Sequence, residues 1–236
     1  MIEKFVYAET LGECWIQCIR RVLDASHHID EDVGMRELLG LSIEIRSPNA
    51  IDQIISEFGD SKVVDGMVKK FSPGVIMNDR PFTYGQRIYD QAGINQFDWM
   101  SKRLRNKPET KSATICLLVP GENAPSLPCL TTLDAKIRQG ALELQFFFRS
   151  QNILGRQYAN LIALAQLQKV LADSCAVQVG SMRGYIASAH IYDYDIDIAK
   201  RIADGESSRI VDEYYAKGPK SARLESQFLA LRQDVG

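Results

Sequence analysis

The chain has 236 residues, of which 45% are hydrophobic and 25% charged, the composition of a soluble globular protein with one sizeable core. A formal net charge of -2 excludes broad electrostatic binding to nucleic acid, so any phosphate site must be local. No apolar run reaches the roughly 18 residues that span a bilayer, and Met1-Ile2-Glu3-Lys4-Phe5 is not a signal peptide, so a cytoplasmic protein without membrane contact is expected.

Taken in chain order, residues 10–26 set Leu11, Trp15, Ile19, Val22 and Leu23 at helical spacing behind Thr10 as N-cap. Residues 41–45 alternate as a short strand. Asn49 is expected to cap a helix that runs to Phe58 and stops at Gly59. Residues 71–86 read as loop, and 94–104 as a helix broken by Lys107-Pro108-Glu109-Thr110. Residues 113–119 form a continuous apolar strand, compatible with a sheet covered on both faces. Residues 127–137 and 142–148 are the arms of a hairpin around Gln139-Gly140. In the second arm Leu142, Leu144, Phe146 and Phe148 share one face, and Glu143, Gln145 and Phe147 the other. A helix over 157–172 and a long strand region over 177–194, interrupted by Gly180 and Gly184, follow. Helices finish the chain, with Gly218-Pro219 between two of them. No repeat or linker divides residues 1–236, so a single domain is expected.

The five cysteines, Cys14, Cys18, Cys116, Cys129 and Cys175, are odd in number and irregular in spacing, which argues against a disulfide framework. Cys14 and Cys18 lie four apart on the first helix, with His27 and His28 the other metal-type ligands nearby. Buried apolar thiols are expected there, and no metal.

One constellation stands out. Cys129 sits in Leu127-Pro128-Cys129 and is followed by Phe148-Arg149-Ser150-Gln151-Asn152, by Gly155, Tyr158 and Asn160, and by Ala189-His190-Ile191-Tyr192. Cys129 opens one hairpin arm and Arg149 closes the other, so the hairpin brings the two ends near each other. A cation beside a thiol favours its nucleophilic, ionised form. Arg149 and Ser150 suit a phosphate. The Asn160 amide can both donate and accept, and His190 and Tyr192, two apart on a strand, share a face. Singly, these residues read as a strand-core thiol, a strand-end arginine and a polar helix start.

In this order the residues resemble the core of the thymidylate synthase superfamily, whose members add one carbon to C5 of a pyrimidine nucleotide. The resemblance is specific over residues 84–195. It implies an α/β sandwich, a mixed twisted sheet with helices on one face and a second subunit on the other, hence a homodimer. It implies that the Cys129 thiolate adds to C6 of the ring, which turns C5 into a nucleophile. Arg149 and Ser150 then hold phosphate, Arg149 also polarises Cys129, Asn160 reads a uracil edge, and His190 and Tyr192 hold the sugar. Tyr84, in Thr83-Tyr84-Gly85-Gln86, would assist loss of the C5 proton with ordered water. Arg36 is the expected N-terminal phosphate arginine, Glu57 the glutamate acting through water, and Asn152 and Gly155 the folate-side residues. The implied co-substrate is 5,10-methylenetetrahydrofolate or a pterin analogue, and the implied partner a pyrimidine nucleoside monophosphate.

Departures from the family pattern leave the product open. Asn152 stands where an aspartate usually holds the pteridine, and Lys111-Ser112 stands where the family has paired arginines. Arg232-Gln233-Asp234-Val235-Gly236 is not the apolar tail that closes the synthase site, and no tryptophan lies between Gly66 and Tyr84. Thymidylate synthesis from dUMP is the first expectation. Hydroxymethylation of dUMP, dCMP or CMP, and nucleotide binding without catalysis, are the alternatives.

Overall fold

The computed structural model describes residues 2–30, 32–77, 82–122 and 127–206. The first strand, β1 (Phe5–Ala8), leads into helix α1 (Leu11–Leu23). As expected, the Thr10 side chain caps α1 by accepting from Glu13 N. β2 (Ser26–Asp30) and β3 (Val33–Ile45) form an antiparallel pair, so β3 is far longer than the short strand expected at 41–45. The helix after β3, α2 (Gln53–Phe58), stops at Gly59 as expected, but Asp52 caps it rather than Asn49. The Asp52 carboxylate accepts from Ile55 N at 3.0 Å and from Gly12 N at 2.8 Å, so the cap also ties α2 to the start of α1.

α3 (Ser61–Phe71) and α4 (Tyr84–Tyr89) bracket the region read as loop, and α5 (Gln96–Asn106) lies two residues beyond its expected bounds. β4 (Thr114–Cys116) covers only part of the first half of the strand expected at 113–119. Ala113, Ile115 and Leu117 are buried while Thr114 and Cys116 are exposed. One face of this edge strand is covered, not two. The hairpin forms as β5 (Leu130–Arg138) and β6 (Ala141–Phe148). Gln139 (φ 52°) and Gly140 (φ 78°) are both left-handed, the two-residue turn that matches strand twist.

β7 (Gln151–Asn152) passes through a π-helical turn into α6 (Tyr158–Ser174), then β8 (Gln178–Tyr192) and α7 (Ile196–Ala203) follow. Gly218-Pro219, with the helices expected around it, and Arg232 to Gly236 lie outside the described residues.

Among the described residues the strands make one open, mixed, eight-stranded sheet in the order β1-β3-β8-β6-β5-β4, with β2 on β3 and β7 on β8. α6 is buried nearly all round and forms the centre of the helical layer. Gln168 Nε2 donates to Leu142 O (2.8 Å) and Gly180 O (3.1 Å), where the register between β6 and β8 shifts. At its start, Trp15 packs on Tyr158 with ring centres 4.7 Å apart and donates to Ile153 O at 2.9 Å.

The pleat changes sides at Gly40, whose φ is 78°. Before it Leu38 is buried and Leu39 is 58% exposed, whereas beyond it Leu41, Ile43 and Ile45 are buried. β8 answers in register, burying Met182 and Ile186 on one side of the switch and Ala189 and Ile191 on the other. The face away from the helices carries exposed Phe5, Tyr7 and Leu39, and a Phe147–Tyr185 stack with ring centres 5.3 Å apart.

Candidate active site

Strand direction gathers the candidate residues. β6, β7 and β8 are mutually parallel, and β3 and β5 run against them. The ends of β6, β7 and β8 therefore meet the starts of β3 and β5 at one end of the sheet. Cys129 precedes β5, Arg149 follows β6, Asn152 ends β7, His190 and Tyr192 end β8, and Arg36 lies near the start of β3.

Cys129 is half-buried, between buried Pro128 and Leu130. Arg149 N donates to Cys129 O at 2.9 Å. The Arg149 guanidinium folds back over the same segment, donating from Nε to Pro128 O (3.0 Å) and from Nη2 to Leu127 O (2.8 Å). These bonds fix a permanent cation beside the residue that carries the thiol. Nη1 of Arg149 and the Ser150 hydroxyl make no hydrogen bond among the described residues, so both remain available to an anion.

Tyr84 reaches the same segment at Leu130. Its side chain is 4% exposed, and its hydroxyl accepts from Leu130 N at 3.4 Å. Lys70 Nζ lies 4.2 Å from the ring centre and Phe71 packs against the ring at 4.8 Å. Thr83 and Gln86 form a reciprocal capping box that starts α4 on Tyr84. Gly85 has a physical reason to follow it: a Cβ there would come within 2.0 Å of Ser72 O. Arg87, one turn on, pairs with Glu122 and lies 4.1 Å over the Phe82 ring. Gln96 Nε2 donates to Arg87 O (2.8 Å) and Cys116 O (2.9 Å), joining α4 to the cysteine-side sheet edge. The sequence reading missed Arg87, Glu122 and Gln96, because their partners are distant in sequence.

The second half of the constellation is built differently. Asn152 Oδ1 accepts from Gly155 N at 2.7 Å and so caps the π-helical turn, leaving its Nδ2 to donate. Asn160, in the first turn of α6, is 4% exposed and its Oδ1 has no partner among the described residues. His190 is 7% exposed and its Nδ1 is likewise unpartnered. Burial pushes the His190 imidazole below its ordinary pKa, against smaller upward pulls from the nearby Ser188 backbone and from Glu37 and Asp30. The His190 and Tyr192 rings meet edge-on at 5.0 Å, and Tyr192 stacks on Tyr194 at 5.2 Å. Gln151, not singled out from sequence, is buried with both ends of its amide unpartnered, and Gln157 Oε1 is unpartnered too.

Registry puts His190 opposite Asn152 and Glu37, and Tyr192 opposite Met35, on one face of the sheet. Arg36 pairs with Ile191, on the opposite face of the pleat, and donates to Ala25 O at 3.1 Å. The structure thus does not bring Arg36 onto the His190 face. Glu57 is exposed on α2. Ser112 accepts from Arg103 Nε at 2.8 Å, which sets a guanidinium from α5 beside the Lys111-Ser112 pair. Cys14 and Cys18 are fully buried with sulfurs 4.0 Å apart, and Gln157 Nε2 donates to Cys18 at 3.3 Å. No helix among the described residues is long and apolar enough to cross a membrane.

Comparison with known proteins bears on this arrangement. Residues 57–210 match the sequence model of the family described as Thymidylate synthase. Three archaeal relatives carry the name "Putative thymidylate synthase". The one from Methanosarcina barkeri is 29% identical over 210 residues, covering 86% of this chain and 96% of its own length. That from Methanococcoides burtonii is 27% identical over 209 residues, with coverage of 86% and 96%. That from Methanothermobacter thermautotrophicus is 28% identical over 210 residues, with coverage of 81% and 95%.

Proposed function

The chain belongs to the thymidylate synthase family, and from that premise we propose that it transfers one carbon from methylenetetrahydrofolate to C5 of a pyrimidine nucleotide, with dUMP as first substrate. One observation carries the reading: the Arg149 guanidinium and the Tyr84 hydroxyl converge on the segment that holds Cys129.

Cys129 is the nucleophile. Its thiolate adds to C6 of the ring, and the electron pair displaced from the C5–C6 double bond makes C5 the attacking atom. Arg149 stabilises the thiolate and, with Ser150, takes the phosphate through donors that the protein leaves unused. Asn160 accepts the ring N3 proton at Oδ1 and donates from Nδ2 to O4, which would satisfy the orphaned oxygen. His190 and Tyr192 orient the sugar. Tyr84, through water, receives the C5 proton once the new carbon bond has formed. Final loss of the Cys129 thiolate from C6 restores the C5–C6 double bond and frees the enzyme.

The folate, when bound, would supply the one-carbon unit, giving it up to C5 as its own carbon–nitrogen bond breaks, and, for a methyl product, the hydride as well. The residues fit it through Asn152, whose Nδ2 remains free to donate to the pteridine carbonyl while Oδ1 is held by Gly155 N. The exposed apolar sheet face supports pairing with a second copy.

A hydroxymethyl product is the second reading. The absence of a tryptophan between Gly66 and Tyr84 favours it, because a wetter site lets water compete with hydride at the new carbon. Incubation with dUMP, dCMP, UMP or CMP plus methylenetetrahydrofolate, followed by mass measurement of the nucleotide, separates the two. A methyl gain on dUMP is expected. A hydroxymethyl gain would replace the synthase reading, and no gain on any of the four would remove both.

A further inference from the structure

A cavity lies at the opposite end of the sheet from Cys129. It encloses about 630 Å³, within the range of small-molecule sites. Its walls come from the segment that follows β3, from the middle of α6 and from the start of β8. Each of these elements carries a candidate site residue at its other end: Arg36, Asn160 and His190. Along α6, Asn160 and Val170 are ten positions and so roughly 15 Å apart.

The lining chemistry is specific in kind. Pro48, Ala165, Val170 and Val179 give an apolar wall, and Val170 is left 54% exposed. Arg46 and Lys169 are the charged residues of the lining, and no carboxylate faces them from it. Lys169 is held by Asp173 on the next turn of α6. The Arg46 guanidinium has neither hydrogen bond nor ion pair among the described residues; its backbone amide alone is used, on Ala8 O. A cation without a partner at the mouth of an apolar hollow is the complement of an anion with an apolar body.

We propose that this cavity is a second ligand site, distinct from the nucleotide site, for an amphipathic anion: an aromatic or aliphatic body against Val170 and Val179, with a carboxylate, sulfonate or phosphate on Arg46. This assignment does not depend on the nucleotide chemistry.

The fluorescent arylsulfonate 8-anilinonaphthalene-1-sulfonate, titrated into the full chain, tests it. One saturable molecule per chain is expected, displaced by 4-phenylbutyrate and not by dUMP. Arg46→Gln and Val170→Asp, both at exposed positions, should each weaken binding about tenfold or more, the first by loss of one charge-assisted contact and the second by placing a carboxylate against the apolar body and the anion. Their unfolding temperatures should stay within a few degrees of the parent. N-phenyl-1-naphthylamine, which lacks the sulfonate, should bind at least about tenfold more weakly. Binding that both substitutions leave unchanged would place the dye elsewhere, for instance on the exposed sheet face, and overturn the proposal. Displacement by dUMP, or no saturable binding, would do the same. Repeating the titration with Cys129→Ala protein separates this result from any failure of the proposed reaction.

Discussion

The two halves of the candidate site are satisfied to different degrees. Around Cys129 the protein itself makes the hydrogen bonds that hold the backbone: Arg149 to the carbonyls of Leu127 and Pro128, Leu130 N to Tyr84, and the Thr83–Gln86 box beneath, while the Arg87–Glu122 pair leaves Arg87 Nε and Glu122 Oε2 unpartnered among the described residues. Around Asn160 and His190 it does not, for Asn160 Oδ1, His190 Nδ1 and the Gln151 amide are buried without partners among the described residues. An unmade buried hydrogen bond costs about 1–3 kcal/mol. In the proposed mechanism the reacting corner, around Cys129, has its backbone set before ligand arrives, and the reading half, around Asn160 and His190, is left for ligand or water to complete. Chemistry needs fixed geometry, whereas recognition draws its discrimination from groups left unpaired by a wrong ligand.

That contrast can be broken most forcefully at the corner. Cys129→Ala should abolish product formation, by at least about 10⁴-fold, with little change in unfolding temperature. Turnover near the parent value would remove the nucleophile. Arg149→Lys keeps the charge but loses the fork that grips two carbonyls. A fall in kcat/KM of about 10²-fold or more is expected, with the loss shared between nucleotide KM and kcat. Tyr84→Phe strips the acceptor from Leu130 N. It should lower stability by about 1 kcal/mol in a denaturant titration and slow release of tritium from C5 by about 10²-fold or more.

The reading half should answer in the opposite sense. Asn160→Leu removes an unsatisfied oxygen, so the ligand-free protein should gain about 1 kcal/mol in the same titration. The stabilisation conferred by saturating dUMP should vanish with it. A loss of ligand-free stability would show that Asn160 is already satisfied. The smallest effect is the pH response of His190. Its folded pKa is depressed by burial below the ordinary 6.5. The unfolded chain therefore binds the proton more readily, and stability rises with pH through the window between the two values. The full contribution is present above about pH 6.5 and is lost as pH falls toward the folded value, with a slope of at most about 1.4 kcal/mol per pH unit. His190→Gln should flatten that limb of the stability curve. An unchanged slope would assign it to another group.

What was legible in the sequence was local. Gln139-Gly140 specified the hairpin because two left-handed residues suit that turn, and Thr10 specified the start of α1 because its hydroxyl reaches Glu13 N. Where a distant partner decides, sequence reading failed. Asp52 displaced Asn49 as a cap because its second oxygen binds Gly12, forty positions away. The first half of β3 was missed because the pleat reverses at Gly40, so no single alternation runs through the strand. The run at 113–119 was read as doubly covered, but it lies on the sheet edge with Thr114 and Cys116 exposed. For the site, the residue types and order were visible from the cysteine, arginine, asparagine and histidine motifs. Which of them share a face was not, since the separation of Arg36 from His190 depends on registry between β3 and β8.

The most direct test is the intact mass of the protein after incubation with 5-fluoro-dUMP and methylenetetrahydrofolate. Fluorine at C5 cannot leave as a proton does, so the ring should stay attached to its nucleophile. A mass increase by one nucleotide plus one folate is expected, mapping to Cys129 after proteolysis and absent from Cys129→Ser. Unmodified protein, or a label on Cys116 or Cys175 instead, would contradict covalent catalysis by Cys129.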